Sequence, residues 1–236
     1  MILENNISAI LIVKNEEYWL DYTLKVLVDS GMPIYIADYG STDRTIEIIL
    51  NYTDIRFYEM GNLDGSDKET DDIKTFLTSL VETPWVLQVS GDEIFIPEML
   101  DNILSINPDE STGGSITYAG LVSRKDGFYV AHTSSQLTIY LKNLGMENLD
   151  IESLRTVLNS EQIFHCNSYA PSAFRMNYVQ RSRKDSIMTR RMEEFDIEGE
   201  QYANEFIDLF SIIGAPRYEN PYWEKLYWNK GEKENE

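Results

Sequence analysis

The sequence has one cysteine, Cys166, two histidines, His132 and His165, and 20 Lys and Arg against 40 Asp and Glu. A lone cysteine closes no internal disulfide and makes no zinc site by itself, which is the usage of a reducing compartment. A net charge of −20 and a pI near 4.4 give no positive field for nucleic acid or an anionic lipid surface, so nucleic acid binding is not expected. No run approaches the roughly 20 apolar residues of a membrane span, which argues against stable membrane insertion. Met1 to Ser8 shows neither a basic flank nor a cleavage-like site, and a cytoplasmic location is the expectation. Internal repeats and low-complexity tracts are also missing.

What is present is enough apolar material for a core. With 42% hydrophobic and 12% aromatic residues, the 236-residue chain lies outside the disordered range despite its charge. Ile7 to Val13 is an apolar run suited to a strand buried on both faces, Glu16 to Val28 has helical spacing, and Ile34 to Ala37 is strand-like again. Asp38-Tyr39-Gly40-Ser41-Thr42-Asp43 is turn-rich, and Thr45 to Tyr52 predicts a helix capped by Ser41 or Thr42, with Asp43 complementing its dipole. Ile55 to Tyr58 is a third strand, Gly61 to Asp72 a loop, Ile73 to Val81 a helix, and Trp85 to Val89 a fourth strand ending at Ser90-Gly91-Asp92-Glu93. This alternation predicts an α/β fold with a mostly parallel central sheet and helices on both faces. Beyond Pro97 the pattern predicts a mixed, smaller half: strands at Ser115 to Tyr118, Phe128 to Ala131 and Leu137 to Leu141, and helices near Ile151 to Leu158 and Tyr202 to Phe210.

Ligands of open parallel sheets bind beyond the carboxyl ends of the strands. Lys14-Asn15-Glu16, Asp38 to Ser41 and Ser90 to Glu93 all fall there. Acidic neighbours occur elsewhere too, but only Asp92-Glu93 directly follows a buried-looking strand. Two carboxylates beside a glycine that admits a ligand suit a hard cation such as Mg²⁺ or Mn²⁺ that also binds phosphate oxygens. The same residues also serve to end a strand. Between Arg175 and Arg191, six basic residues (Arg175, Arg181, Arg183, Lys184, Arg190, Arg191) face one acid, Asp185. Such an island is either a phosphate grip or a solvated helix face.

The runs Ile10-Leu11-Ile12-Val13-Lys14-Asn15-Glu16-Glu17, Asp38-Tyr39-Gly40-Ser41-Thr42-Asp43-Arg44-Thr45 and Trp85-Val86-Leu87-Gln88-Val89-Ser90-Gly91-Asp92-Glu93 resemble, in order and spacing, the first half of family 2 glycosyltransferases of the GT-A fold. The similar branch carries IVKNEE and DTGSTDRT-like motifs, and the resemblance covers residues 7 to 95. It implies one GT-A domain over residues 1–215, divided into a nucleotide-binding half (1–95) and an acceptor half with lid (96–215). An aromatic helix and charged tail over 216–236 would follow, and Tyr218, Tyr222, Trp223, Tyr227 and Trp228 would either dock that helix or stack a sugar.

The roles follow from the same resemblance. Val13, Asn15 and Glu16 would line the nucleotide pocket, Asp38 and Ser41 would meet the uracil or ribose, and Lys74 would reach the diphosphate. Gly91 would admit the ligand, and Arg181 and Lys184 would close on the phosphates. Asp92 matches the last acid of the metal-binding D-x-D element, whose first acid is replaced by Ser90, while Tyr39 stands where many members have a second aspartate. His165 would be a further ligand of Mn²⁺ or Mg²⁺ or else a packed residue, and Asp150 is placed by position as the base.

The implied activity is transfer of a sugar, with inversion, from a nucleotide-diphosphate sugar such as UDP-glucose to an unidentified saccharide, lipid or protein acceptor. Two rivals are a nucleotide-sugar-binding module with weak catalysis and a sugar nucleotidyltransferase. The glycine-free Lys14-Asn15-Glu16 is not the phosphate loop that the latter needs.

Overall fold

The computed structural model describes residues 6–63, 66–104, 113–124, 127–141, 163–166, 173–178 and 205–212. The chain opens with β1 (Ile7–Val13), α1 (Leu20–Asp29), β2 (Ile34–Asp38), α2 (Thr45–Leu50), β3 (Ile55–Glu59), α3 (Asp67–Leu80) and β4 (Trp85–Ser90). These four strands pair in parallel in the order β3-β2-β1-β4.

Helices cover both faces, which is why β1 is a continuous apolar run rather than an alternating one. Ala9, Leu11 and Val13 turn to the face where α1 and α2 bring Leu20, Leu24, Leu27, Ile48 and Ile49. Ile10, Tyr35, Ala37 and Val86 turn to the other face and meet Ile73 and Leu77 of α3. Each such leucine, isoleucine or valine side chain stabilises the fold by about 1.5–3 kcal/mol when fully buried. Ser66 starts α3 by accepting the Glu69 N–H at 3.4 Å, so that helix begins at Asp67 rather than at Ile73.

The rest of the described chain is β5 (Glu93–Phe95), α4 (Pro97–Leu104), β6 (Gly113–Arg124), β7 (Gly127–Leu141), β8 (Ile163–Cys166), β9 (Ala173–Tyr178), β10 (Glu205–Ile207) and the four-residue helix α5 (Leu209–Ile212). One sheet runs on through both halves as β4-β7-β6-β9-β5, with β10 pairing β7 and β8 pairing β6. Laid flat, four strand spacings of about 4.8 Å would put β5 about 19 Å from β4. Ser90 and Glu93 are joined by a stretch of chain that reaches at most about 11 Å. The sheet therefore curls over, and β5 returns beside the end of the strand from which the chain has just departed.

Several expectations need correction here. Phe128 to Ala131 and Leu137 to Leu141 belong to one long strand, β7. Part of the stretch expected to be helical at Tyr202 to Phe210 pairs with β7 as β10, because the edge of β7 offers Val130, Tyr129 and Phe128 as ladder partners. Arg175 lies within β9, so this first member of the basic island is a strand residue. The helix near Ile151 to Leu158 and the segment 216–236 lie outside the described residues.

From β1 the chain winds outward to β2 and β3, and α3 then carries it back past β1 to β4. The winding reverses between β1 and β4, and the crevice beyond their carboxyl ends is where doubly wound sheets bind ligands.

Candidate functional site

Two loops meet at the carboxyl end of the sheet, and hydrogen bonds join them rung by rung. The Asn15 N–H donates to Ser41 Oγ at 2.8 Å, and the Thr42 N–H donates to Asn15 Oδ1 at 2.8 Å. The Glu16 N–H donates to Thr45 Oγ1 at 2.7 Å, the Glu17 N–H to Asp43 Oδ2 at 3.3 Å, and the Arg44 N–H to Glu17 Oε2 at 3.1 Å. The IVKNEE and GSTDRT runs are thus the two sides of one structure. Asp43 Oδ1 also accepts the Thr45 N–H at 2.9 Å at the start of α2, while Ser41 and Thr42 face the other loop instead of capping that helix. Arg44 is paired with Glu47 at 2.9 Å, and this hydrogen bond holds the exposed Glu47 carboxyl below the usual carboxylate range.

Asn15 is the one non-glycine residue with positive φ among the described residues, at 56°. Asparagine tolerates this left-handed conformation better than most residues, and its side chain then receives Thr42. Asn15→Gly keeps the conformation but loses the acceptor, whereas Asn15→Ala loses both. Alanine is therefore expected to destabilise the chain by about 1 kcal/mol more than glycine in urea unfolding. Equal losses would show that the left-handed turn adds nothing.

Asp38, the last residue of β2, is fully buried. Its Oδ1 accepts the Gly40 and Ser41 N–H groups, both at 2.9 Å, and its Oδ2 accepts the Ser41 hydroxyl. A third loop closes on this turn. The Lys14 ammonium donates to the Leu63 carbonyl at 2.8 Å and lies 5.0 Å from the centre of the Tyr39 ring. Gly40 has φ 108°, and a Cβ there would stand 2.8 Å from the Asn62 Cα. Only glycine lets the Asn62 backbone come so near.

The end of β4 makes the second half of the site. Ser90, Gly91, Asp92 and Glu93 turn tightly between β4 and β5, and Glu93 Oε2 accepts the Ser90 N–H at 2.9 Å across that turn. Asp92 is 1% exposed and Glu93 2%. Glu16, also buried, leans over Gly91, where an added Cβ would be 2.8 Å from its Cγ and 3.2 Å from Val13 Cγ1. The missing Cβ of Gly91 leaves room for Glu16 and Val13 of this chain. Thr23 Oγ1 donates to the Gly91 carbonyl at 3.0 Å from α1.

No family model matches the sequence, and no curated protein matches it closely enough to count as a relative. Solved structures do match. S. aureus TarS superposes with a TM-score of 0.54 at 16% identity, over 84% of this chain and 44% of that one. Its fragment 1–349 in complex with UDP gives 0.51 at 16% identity, over 92% and 77%. A 4-diphosphocytidyl-2C-methyl-D-erythritol synthase gives 0.52 at 11% identity, over 79% and 98%. The fold is of the GT-A type. In length, this GT-A chain spans less than half of the full TarS chain.

Val13, Asn15, Glu16, Asp38, Ser41, Gly91 and Asp92 come together at the switch point of the GT-A sheet. Lys74 is half-buried about two turns down α3 from its start, at Asp67. His165 is in β8, its backbone opposite Ser115 of β6, with β6 and β7 between it and β4. Asp150, Arg181 and Lys184 lie outside the described residues. Among the described residues no three His, Cys, Asp or Glu side chains form a metal-binding group. Sequence reasoning missed Thr23, Thr45 and Glu17, and placed Asp43 only at the start of α2. For the last three the signal was available, since side chains that bond to backbone N–H groups are typical of loops rich in Ser, Thr and Asp.

Proposed function

We propose that the chain is a glycosyltransferase of family 2 type that moves a sugar from a UDP-sugar, UDP-glucose or a near relative, to a hydroxyl of a saccharide, lipid or protein acceptor, with inversion. The observation that carries this reading is the buried Asp92, held in a tight turn beside β1 at the switch point of a GT-A sheet. The similarity to TarS bound to UDP supports a uridine diphosphate donor.

Mg²⁺ and Mn²⁺ are commonly held by one or two carboxylates together with substrate phosphates, and keep several waters. Asp92, a buried acid at a strand end, fits that pattern. Asp92 would hold the ion, and the ion would supply positive charge to the departing diphosphate; β7 and β6 stand between β4 and His165, so His165 is not counted as its partner. Lys74, Arg181 and Lys184 would add charge to the same phosphates, and Asp150 would take the proton of the acceptor hydroxyl. Asn15, Glu16 and the Asp38–Ser41 turn would shape the pocket wall.

Titration calorimetry with UDP tests this directly. Affinity is expected to be higher with Mn²⁺ than with chelator, and UDP-glucose with Mn²⁺ should release UDP. Equal affinity under the two conditions would remove the shared ion. A nucleotidyltransferase is the second reading, favoured by the similarity to the erythritol synthase. Against it, Lys14-Asn15-Glu16-Glu17 holds no glycine, and its backbone N–H groups at Asn15, Glu16 and Glu17 are bonded to Ser41, Thr45 and Asp43. Release of pyrophosphate from CTP or UTP with a sugar phosphate would favour this second reading.

A further inference from the structure

Thr23 is a polar residue where α1 otherwise packs as core. Leu20, Leu24 and Leu27 around it are buried, and Thr23 itself is 1% exposed. A buried threonine inside a helix ordinarily bonds back to the carbonyl four residues earlier. Here that carbonyl, of Trp19, is 3.3 Å away and already accepts the Thr23 N–H at 3.1 Å. The shorter contact of the single hydroxyl hydrogen is to the Gly91 carbonyl, at 3.0 Å and 68 residues distant in sequence.

The bond ends on the residue before Asp92. Gly91 has no side chain by which neighbours could hold it, and Glu16 and Val13 press on the face where one would be. On the other side of Asp92, Glu93 holds the Ser90 N–H. The peptide joining Gly91 to Asp92 is therefore held at its carbonyl by Thr23. A rotation of that peptide would carry the Asp92 carboxylate with it.

We infer that Thr23 is a positioning residue for Asp92, acting through the Gly91 carbonyl. This rests on the proposed role of Asp92 at the diphosphate. Groups that orient a metal ligand from behind typically change metal affinity or activity by about 10- to 100-fold when removed.

The experiment compares the parent, Thr23→Val, Thr23→Ser and Asp92→Asn as full chains, by titration with UDP in Mn²⁺ and in chelator and by thermal melting. Valine keeps the shape and removes the hydroxyl, while serine keeps the hydroxyl and removes the methyl. Thr23→Val should lower UDP affinity in Mn²⁺ by about 10- to 100-fold with affinity in chelator unchanged, and Thr23→Ser should stay close to the parent. If Thr23→Val does not fold, Thr23→Cys takes its place with the same expected loss, because a thiol is a weak donor. The inference is overturned if the valine variant binds like the parent in Mn²⁺, if it loses affinity equally in chelator, or if serine loses as much as valine. A parent without a metal-dependent increment, or an Asp92→Asn that keeps it, would instead refute the role of Asp92 and take this inference with it.

Discussion

Asp92→Asn is expected to cut sugar transfer by about 10²- to 10³-fold and to remove the metal-dependent part of UDP binding, while leaving the melting temperature level or raising it. The two halves of this expectation have one cause. Asp92 is 1% exposed, and an ionised carboxylate taken from water carries a desolvation cost. Asparagine has the same size and removes that cost. The same charge is what would hold a divalent ion against diphosphate, so its loss should reduce turnover on the order of 10²- to 10³-fold, as when a preorganised electrostatic group is lost.

Glu93→Gln is the internal comparison. Glu93 lies in β5 and accepts the Ser90 N–H at 2.9 Å, a bond that the amide oxygen of glutamine can also accept, so this variant should retain far more activity than Asp92→Asn. Activity assays paired with melting curves would test both. An active Asp92→Asn enzyme with ordinary metal dependence would remove the acid from the mechanism.

The first half of the fold was legible because its strands are buried on both faces, so that local composition and tertiary environment agree. Ile7–Val13 is found as expected, and β2, β3 and β4 each extend only one residue beyond the expected span, to Asp38, Glu59 and Ser90. The second half was less legible, because what makes β7 one strand is its pairing with β6, β4 and β10, and none of these partners is visible in its local alternation. Tertiary pairing also overrides helical spacing at Glu205–Ile207.

The site divides in the same way. Its position followed from the alternation of strands and helices, since the switch point is a property of topology. Topology does not fix what each side chain does there, because a polar residue in a turn has two physical uses that look alike in sequence: it can face a ligand or it can bond to the backbone beside it. Asn15, Ser41, Thr45 and Asp43 have the second use here. Thr23 lay beyond reach altogether, since its acceptor is 68 residues away.

Asp38 is the residue for which these two uses lead to opposite outcomes. As a recognition group for uracil or ribose, its replacement by alanine would weaken UDP and spare the fold. In the structure Asp38 is fully buried, with Gly40, Ser41 N–H and Ser41 hydroxyl donors all directed at its carboxylate. Asp38→Ala is therefore expected to destabilise the fold first. Hydrogen bonds to a charged group are each worth about 1.5–3 kcal/mol, and with part of the loss recovered by water the total should be about 2–4 kcal/mol, or roughly 5–15 °C in melting temperature for a chain of this size. Asp38→Asn keeps an oxygen for the two backbone N–H groups and should lose less. The Ser41 hydroxyl gives a further check, because Ser41 Oγ also receives the Asn15 N–H at 2.8 Å and so links Asp38 to the neighbouring loop. Residues of one hydrogen-bond network are not additive, so Ser41→Ala should cost less in the Asp38→Ala background than in the parent. A melting temperature unchanged by Asp38→Ala, together with weakened UDP binding, would return the carboxylate to the ligand. A lowered one with non-additive Ser41→Ala would show that Asp38 holds together the wall against which a nucleotide would lie.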